Sequence, residues 1–362
     1  MKIASIQIYK YTLALKQPLY VHKVEISQRE GLMVHVTSKE GAEGFGEIVP
    51  LEGWSQENLN EAYEQVQFII STLVGEHIPE AIEKLDGKFQ SWLEGVDLHP
   101  SVQFGVEMAV LNLIANVRNQ PLFKIISETG HDHVRVNALL QGTRYDIVQQ
   151  ARKLKEDGFT AMKLKVGGSV EDSIAKVKAV SEVTQGKILL SLDANQSWSL
   201  EEAVQFGKGV DHGTISYIEE PLKNVYHIPA FYKETMIPVA LDESLLRFPL
   251  DELKGVEGVD VLVLKPTVLG GIEKTWQIMQ QAKGLGLEEV ISSSFESGVG
   301  LLTLANLAGG ASRDHAAGLD TLKWFRQDLL KEKLVIEGGK IDISQRLVRR
   351  EDLNFYFLRE IK

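Results

Sequence analysis

From Val134 onward, short apolar runs recur at 134–140, 161–166, 188–193, 215–218, 238–241, 261–264, 289–292 and, with a weaker pattern, 318–320. Their midpoints lie about 23–29 residues apart, the length of one strand plus the crossover helix that a parallel neighbour requires. Stretches 146–156, 171–183, 199–207 and 272–285 supply helical apolar spacing between them. Eight such units in about 200 residues specify an α/β fold, a closed (β/α)8 barrel of the TIM type. The helices after the fourth to sixth strands are indistinct, and the eighth strand rests mainly on the count.

Residues 1–130 are organised differently. Strands are expected at 3–13, 32–37 and 44–48, followed by helices at 58–73 and 102–117. Grouped strands followed by grouped helices describe an N-terminal α+β domain. The barrel then spans 131–331, and 332–362 is expected to rejoin the first domain through a hairpin turning at Gly338-Gly339. Nothing in the chain reads as a Pro/Ser-rich linker, so the two domains are expected to pack together.

Charged residues cluster at the ends of successive barrel strands: Lys163-Leu164-Lys165, Asp193-Ala194-Asn195, Glu219-Glu220-Pro221, Asp242-Glu243-Ser244 and Lys265-Pro266. Barrel enzymes draw their active-site groups from those ends. A single charged residue there is usually solvated, but five consecutive strands carrying Lys, Asp, Glu, Asp and Lys are not explained that way. Lys163 and Lys165 are two apart and therefore share one face of their strand. Buried carboxylates are costly without a cation. The oxygen ligands of Asp193, Glu219 and Asp242 suit Mg2+, and the lack of imidazole or thiolate in the set disfavours zinc or copper. The chain has no cysteine and a net charge of −11. Thiolate chemistry is thereby excluded, and nucleic acid and anionic membranes are disfavoured as partners. No stretch approaches the roughly 18–20 apolar residues of a membrane span. The alternating N-terminus reads as a strand rather than a signal peptide, which favours a cytoplasmic location. Nothing specifies an oligomeric state.

These motifs, in this order, resemble those of the enolase superfamily, muconate-lactonising branch, along essentially the whole chain. Within it, 46–51 with Ser55-Gln56-Glu57, Ile291-Ser292-Ser293-Ser294-Phe295-Glu296-Ser297 and Gly318-Leu319-Asp320-Thr321 are most similar to the o-succinylbenzoate synthase family. The resemblance implies an N-terminal capping domain, a small-molecule carboxylate substrate and Mg2+, with Mn2+ able to replace it. It implies a syn-dehydration through an enediolate, with a lysine base. Lys165 would be the base, Lys163 its tuning partner and a contact to the substrate carboxylate, and Lys265 the charge on the opposite face. Asp193, Glu219 and Asp242 would hold the metal. Asn195, Ser292, Ser293 and Ser294 would orient substrate and metal site, and segments 19–26 and 47–54 would close over the substrate tail. Gly298 stands where the resemblance implies serine, which would alter the pocket wall. Two alternatives stay open: an N-succinylamino acid racemase or dipeptide epimerase using the same lysines, and a non-catalytic barrel that binds a small acid. Glu220 and Glu243 read as structural neighbours of the ligands, and Trp198, Trp276 and Trp324 as packing residues in helices.

Overall fold

The computed structural model describes residues 1–21, 24–248, 250–253, 255–311 and 315–361. The first domain opens with β1 (Ile3–Val21), β2 (Val24–Ser38) and β3 (Glu43–Ile48), an antiparallel meander. β1 and β2 run well past the expected 3–13 and 32–37. Lys16-Gln17-Pro18 interrupts the apolar alternation, but a register shift between Ala14 and Leu19 absorbs these residues and pairing resumes at Leu19 with Ile26. The long hairpin that results reaches over the barrel. Helices Leu59–Leu73 and Pro100–Arg118 follow, the first started by an Asn58 capping box with Glu61.

The expected strand 134–140 divides in two. β4 (His133–Arg135) leaves the barrel, and β5 (Ala138–Leu140) begins it. β6 (Ala161–Lys165), β7 (Leu189–Asp193), β8 (Ile215–Glu219), β9 (Val239–Leu241), β10 (Val259–Leu264) and β11 (Glu288–Ile291) then follow as parallel neighbours in sequence order. The weakly patterned eighth strand is only a pair of parallel bridges, Ala317 to Val136 and Gly318 to Ser292. They close the ring through Asn137 N to Ala317 O at 3.0 Å and Ser293 N to Gly318 O at 3.1 Å. A side chain at Gly318 would meet Ser292 Oγ at 2.5 Å, so closure there depends on glycine. The indistinct helices prove short after β8 and β9, at Ile228–Thr235 and Leu250–Leu253, while after β10 the one-turn Pro266–Leu269 precedes the helix expected at 272–285, Ile272–Leu285.

The Gly338-Gly339 turn forms, with both glycines at positive φ and Glu337 and Lys340 exchanging backbone hydrogen bonds. Its second arm, β12 (Lys340–Asp342), pairs with β4 at the foot of the barrel and not with the first domain. The return to the first sheet comes later, where β13 (Arg359–Ile361) adds to the edge of β1. A continuous apolar core joins both domains, while Tyr217, Ala240, Val261, Val263 and Val290 form a separate cluster. These five lie on one side of their strands, inside the barrel.

Carboxylates seat helix starts on both sides of the interface. Glu47 accepts from Ser297 N, Ser297 Oγ and Gly300 N at 3.0, 2.8 and 2.8 Å at the start of helix Gly298–Gly309. Glu107 accepts from Ile272 N and from Glu273 N, and Glu273 in turn accepts from Gly87, Phe89 and Gln90 N–H. Each sets a buried carboxyl against the N–H groups that open a helix.

Candidate active site

Strand period alone places the charged residues. Ser191, Tyr217, Ala240, Val263 and Val290 are followed two positions later by Asp193, Glu219, Asp242, Lys265 and Ser292. Tyr217, Ala240, Val263 and Val290 belong to the interior cluster, and Ser191 lies in register with Tyr217. The second residue of each pair therefore sits one layer higher on the same face, at the strand's C-terminal end. Lys165, Asp193 and Glu219 continue the register across β6, β7 and β8. With eight positions in the ring, β6 and β10 lie half a turn apart, so Lys165 and Lys265 occupy opposite walls.

Between those walls lies a cavity of about 490 Å3 that includes Lys163, Lys165, Asp193, Asn195, Asp242, Lys265 and Ser292 to Ser294 in its lining. That volume is typical of a small-molecule site. Leu19, Tyr20, Val21, Leu51 and Trp54 reach it from the first domain. His22 and Lys23, within the expected closing segment, lie outside the described residues. Glu47 does not line the cavity, being fully buried at the helix start described above. Two other cavities, of about 390 Å3 at the N-terminal end of the barrel and about 630 Å3 beside Arg346 and Arg349, are lined by none of these strand-end residues.

Lysine ammonium groups offset the three carboxylates. Lys163 Nζ lies 2.9 and 2.7 Å from the two oxygens of Glu219 and 3.2 Å from Asp193, and Lys265 pairs with Asp242. Burial alone would depress the Lys163 amine, but Asp193 and Glu219 outweigh it and hold the group charged, well above its ordinary range. Glu219 lies behind Lys163, 1% exposed, and does not itself line the cavity. Lys265 also stands 4.5 Å from the centre of the Trp54 ring, a cation–π contact supplied by the first domain. The donor set is all oxygen and fits a hard divalent cation by its chemistry. Among the described residues, however, no three such side chains are gathered at metal-binding spacing. A cation would have to displace Lys163 from Asp193 and Glu219.

Positioning groups surround this set. Glu220 takes a left-handed backbone with φ 44°, and its carboxylate accepts from Asp242 N at 2.9 Å, Ser244 N at 2.8 Å, Ser244 Oγ at 2.7 Å and Gln196 Nε2 at 2.9 Å. It thereby fixes the backbone that carries Asp242. Asn195, also left-handed, donates its N–H to Asp193 Oδ1 at 3.1 Å. Ser293 Oγ bonds Glu296 at 2.7 Å and lies 2.9 Å from Thr321 Oγ1, whereas Ser294 Oγ is buried with no hydrogen-bond partner among the described residues. Gly298 does not form the pocket wall expected of it. A Cβ there would meet Asp328 Oδ2 at 2.2 Å, and Asp328 accepts the Gly298 N–H, so glycine is required by the helix start. Trp198 packs as expected but outside a helix, donating its indole N–H to Gly168 O at 3.0 Å from an isolated parallel bridge to Leu222, and Trp324 sits in a single 3-10 turn.

Asn137, Gln141, Phe295, Asp320 and Thr321 also line the cavity. No role was expected of them, although Phe295, Asp320 and Thr321 lie in segments that carried the resemblance. Asn137 and Gln141 flank the short strand β5, where no charge marked them.

A family profile described as enolase C-terminal domain-like matches residues 146–347, more than half of the chain, and one described as MenC, N-terminal domain, matches 3–113. The chain belongs to the enolase superfamily. This superfamily member is 32% identical to the o-succinylbenzoate synthase of Escherichia fergusonii over 88% of its own length and 91% of that protein's. It is 33% identical to the protein PHYLLO, chloroplastic, of Arabidopsis thaliana over 96% of its length, but spans only 23% of that much longer chain. Its fold matches that of the dipeptide epimerase from Cytophaga hutchinsonii complexed with Mg and dipeptide D-Ala-L-Val, with a TM-score of 0.85, 22% identity and 100% and 99% of the two chains covered. Among the described residues, no helix is long and apolar enough to cross a membrane.

Proposed function

We propose that this enolase-superfamily enzyme is an o-succinylbenzoate synthase, a hydro-lyase of menaquinone biosynthesis. It would convert 2-succinyl-6-hydroxy-2,4-cyclohexadiene-1-carboxylate to o-succinylbenzoate by syn-dehydration. The observation that carries the reading is the pair of opposed lysine walls, Lys165 on β6 and Lys265 beyond β10, with carboxylates on the strands between them. The likeness to the Escherichia fergusonii synthase over nearly the full length of both chains supports that choice of substrate.

Asp193, Glu219 and Asp242 would hold Mg2+, which when bound would neutralise charge on the substrate carboxylate. Lys165 takes the α-proton through its amine, giving an enediolate. Lys265 faces that developing charge from the opposite wall as an ammonium held by Asp242 and the Trp54 ring. The hydroxyl group then leaves on the face that lost the proton and takes it back from Lys165. One water is released, the Lys165 amine is restored and the ring is aromatic. Asn195 and Ser292 to Ser294 line the cavity where substrate would be oriented.

The test is incubation of Mg2+-loaded protein with the cyclohexadiene substrate, beside a panel of N-succinyl amino acids followed by α-deuterium exchange. Aromatic product is expected to form much faster than any exchange. Exchange without aromatisation would assign the site to the racemase or epimerase class, and inertness of the folded protein towards all substrates would leave a binding barrel.

A further inference from the structure

One buried guanidinium touches both walls of the roofed end of this cavity. Arg29, on β2, is 3% exposed. Its Nη1 donates to Pro50 O at 3.0 Å, its Nη2 to Val49 O at 2.9 Å and Ser294 O at 3.4 Å, and its Nε to Phe295 O at 3.3 Å. Val49 and Pro50 lead directly into the turn closed by Trp54 N to Leu51 O at 2.9 Å and Ser55 N to Leu51 O at 2.8 Å. That turn presents Leu51 and Trp54 to the cavity from the first domain, and Ser294 and Phe295 present the facing wall from the barrel.

A purely electrostatic role does not explain this arrangement. Among the described residues no carboxylate forms an ion pair with Arg29. Nearby Glu47 is bonded to Tyr11, Ser297 and Gly300, and Glu296 to Thr267, Ser293 and Ser294. The donors of Arg29 go to backbone carbonyls of two domains. Phe295 sits at φ 62°, a conformation unfavourable for a bulky residue. It is kept there by Arg29 on its carbonyl, by Ser293 Oγ on its N–H at 3.0 Å, and by edge-on packing against Trp324. The four carbonyls are met by donors spread over three nitrogens of a planar fork, whereas a lysine ammonium offers only three donors from a single atom.

We infer that Arg29 is a positioning residue that sets the separation between the cap turn at Leu51–Trp54 and the barrel wall at Ser294–Phe295, and with it the fit of the substrate's tail. The inference rests on the dehydratase reading for its substrate. Arg29→Lys keeps the buried charge and removes the fork. The KM for the cyclohexadiene substrate is expected to rise at least about tenfold, with kcat within about threefold of wild type. Unchanged KM in a folded variant overturns the inference, including the case where only the melting temperature falls, because that marks a structural role alone. A wild-type protein without dehydration would instead overturn the dehydratase reading. In that case, or if the variant does not fold, hydrogen exchange of the wild type decides. The amides of Trp54, Ser55, Ser294 and Phe295 are expected to open with one common free energy, since one side chain ties both segments. Independent opening of the two segments overturns the inference.

Discussion

Lys165 and Lys265 occupy walls half a barrel apart, which suits two different chemistries. A racemase needs a proton carrier on each face of the α-carbon, whereas syn-elimination needs one carrier and one stabilising charge. Lys165→Ala is expected to abolish dehydration while leaving the melting temperature and Mg2+ affinity near wild type, because it would remove the proposed base and none of the proposed metal ligands. Lys265→Arg keeps the positive charge but cannot readily give up a proton. It is expected to retain measurable dehydration and to lose any racemisation; parallel loss of both activities would make Lys265 a proton carrier in the main reaction. Glu220 acts on the same site at one remove, through the backbone of Asp242. Glu220→Gln turns one accepting oxygen into a donor that faces other donors. Mg2+ affinity, measured by calorimetric titration, is expected to fall about 10–100-fold.

At the scale of the element, the helices keep their places through carboxylates from neighbouring segments. Glu107 is the most exacting case. A side chain at Gly271 would meet its carboxylate at 2.6 Å, so that glycine allows the approach. Burial pushes the Glu107 carboxyl up to about 8, against hydrogen bonds from Gln103 and the Ile272 and Glu273 amides. An unfolded glutamate titrates near about 4.3. Between those values the native state binds the extra proton, so unfolding becomes easier as pH rises. The stabilisation is fully present below the unfolded value and is lost as pH rises through about 8. Thermal melts of wild type are therefore expected to decline from pH 6 to 8 more steeply than those of Glu107→Gln. Parallel slopes would show that this carboxyl does not hold its proton in the native state.

Across the whole molecule, the first domain does more than cover the barrel. It contributes Leu51 and Trp54 to the cavity, Glu47 to a barrel helix, and the edge that receives β13. The carboxylates of the barrel are meanwhile balanced by lysines, so a Mg2+ ion held as proposed would compete with Lys163 for Asp193 and Glu219. Excess chelator is expected to stop turnover, and Mg2+ or Mn2+ to restore it. Lys163→Met leaves the same carboxylates without their ammonium. Its melting temperature in chelator is expected to fall below wild type, and its rise on adding Mg2+ to exceed the wild-type rise through tighter binding. Equal rises in the two proteins would show that Lys163 does not compete with the metal.

The barrel and its charged rim were legible in the sequence because both follow from short periods. Apolar runs at βα spacing specify parallel strands, and alternation by two carries Asp193, Glu219, Asp242 and Lys265 onto the interior face above residues that face inward already. Local pattern also marked the turn at Gly338-Gly339. Its pairing partner was not marked, because hairpin chemistry does not say which distant edge β12 will meet. The extent of β1 and β2 was hidden by Pro18, since a register shift that absorbs such a residue depends on the opposite strand. Gly298 owes its identity to Asp328, which lies 30 residues further along. The pairing of Lys163 with Glu219, the contact of Trp54 on Lys265 and the reach of Arg29 across two domains join residues from 56 to 266 positions apart. Such contacts leave no periodic trace. They are decided where the chain closes in space, by which buried charges and carbonyls are left to satisfy one another.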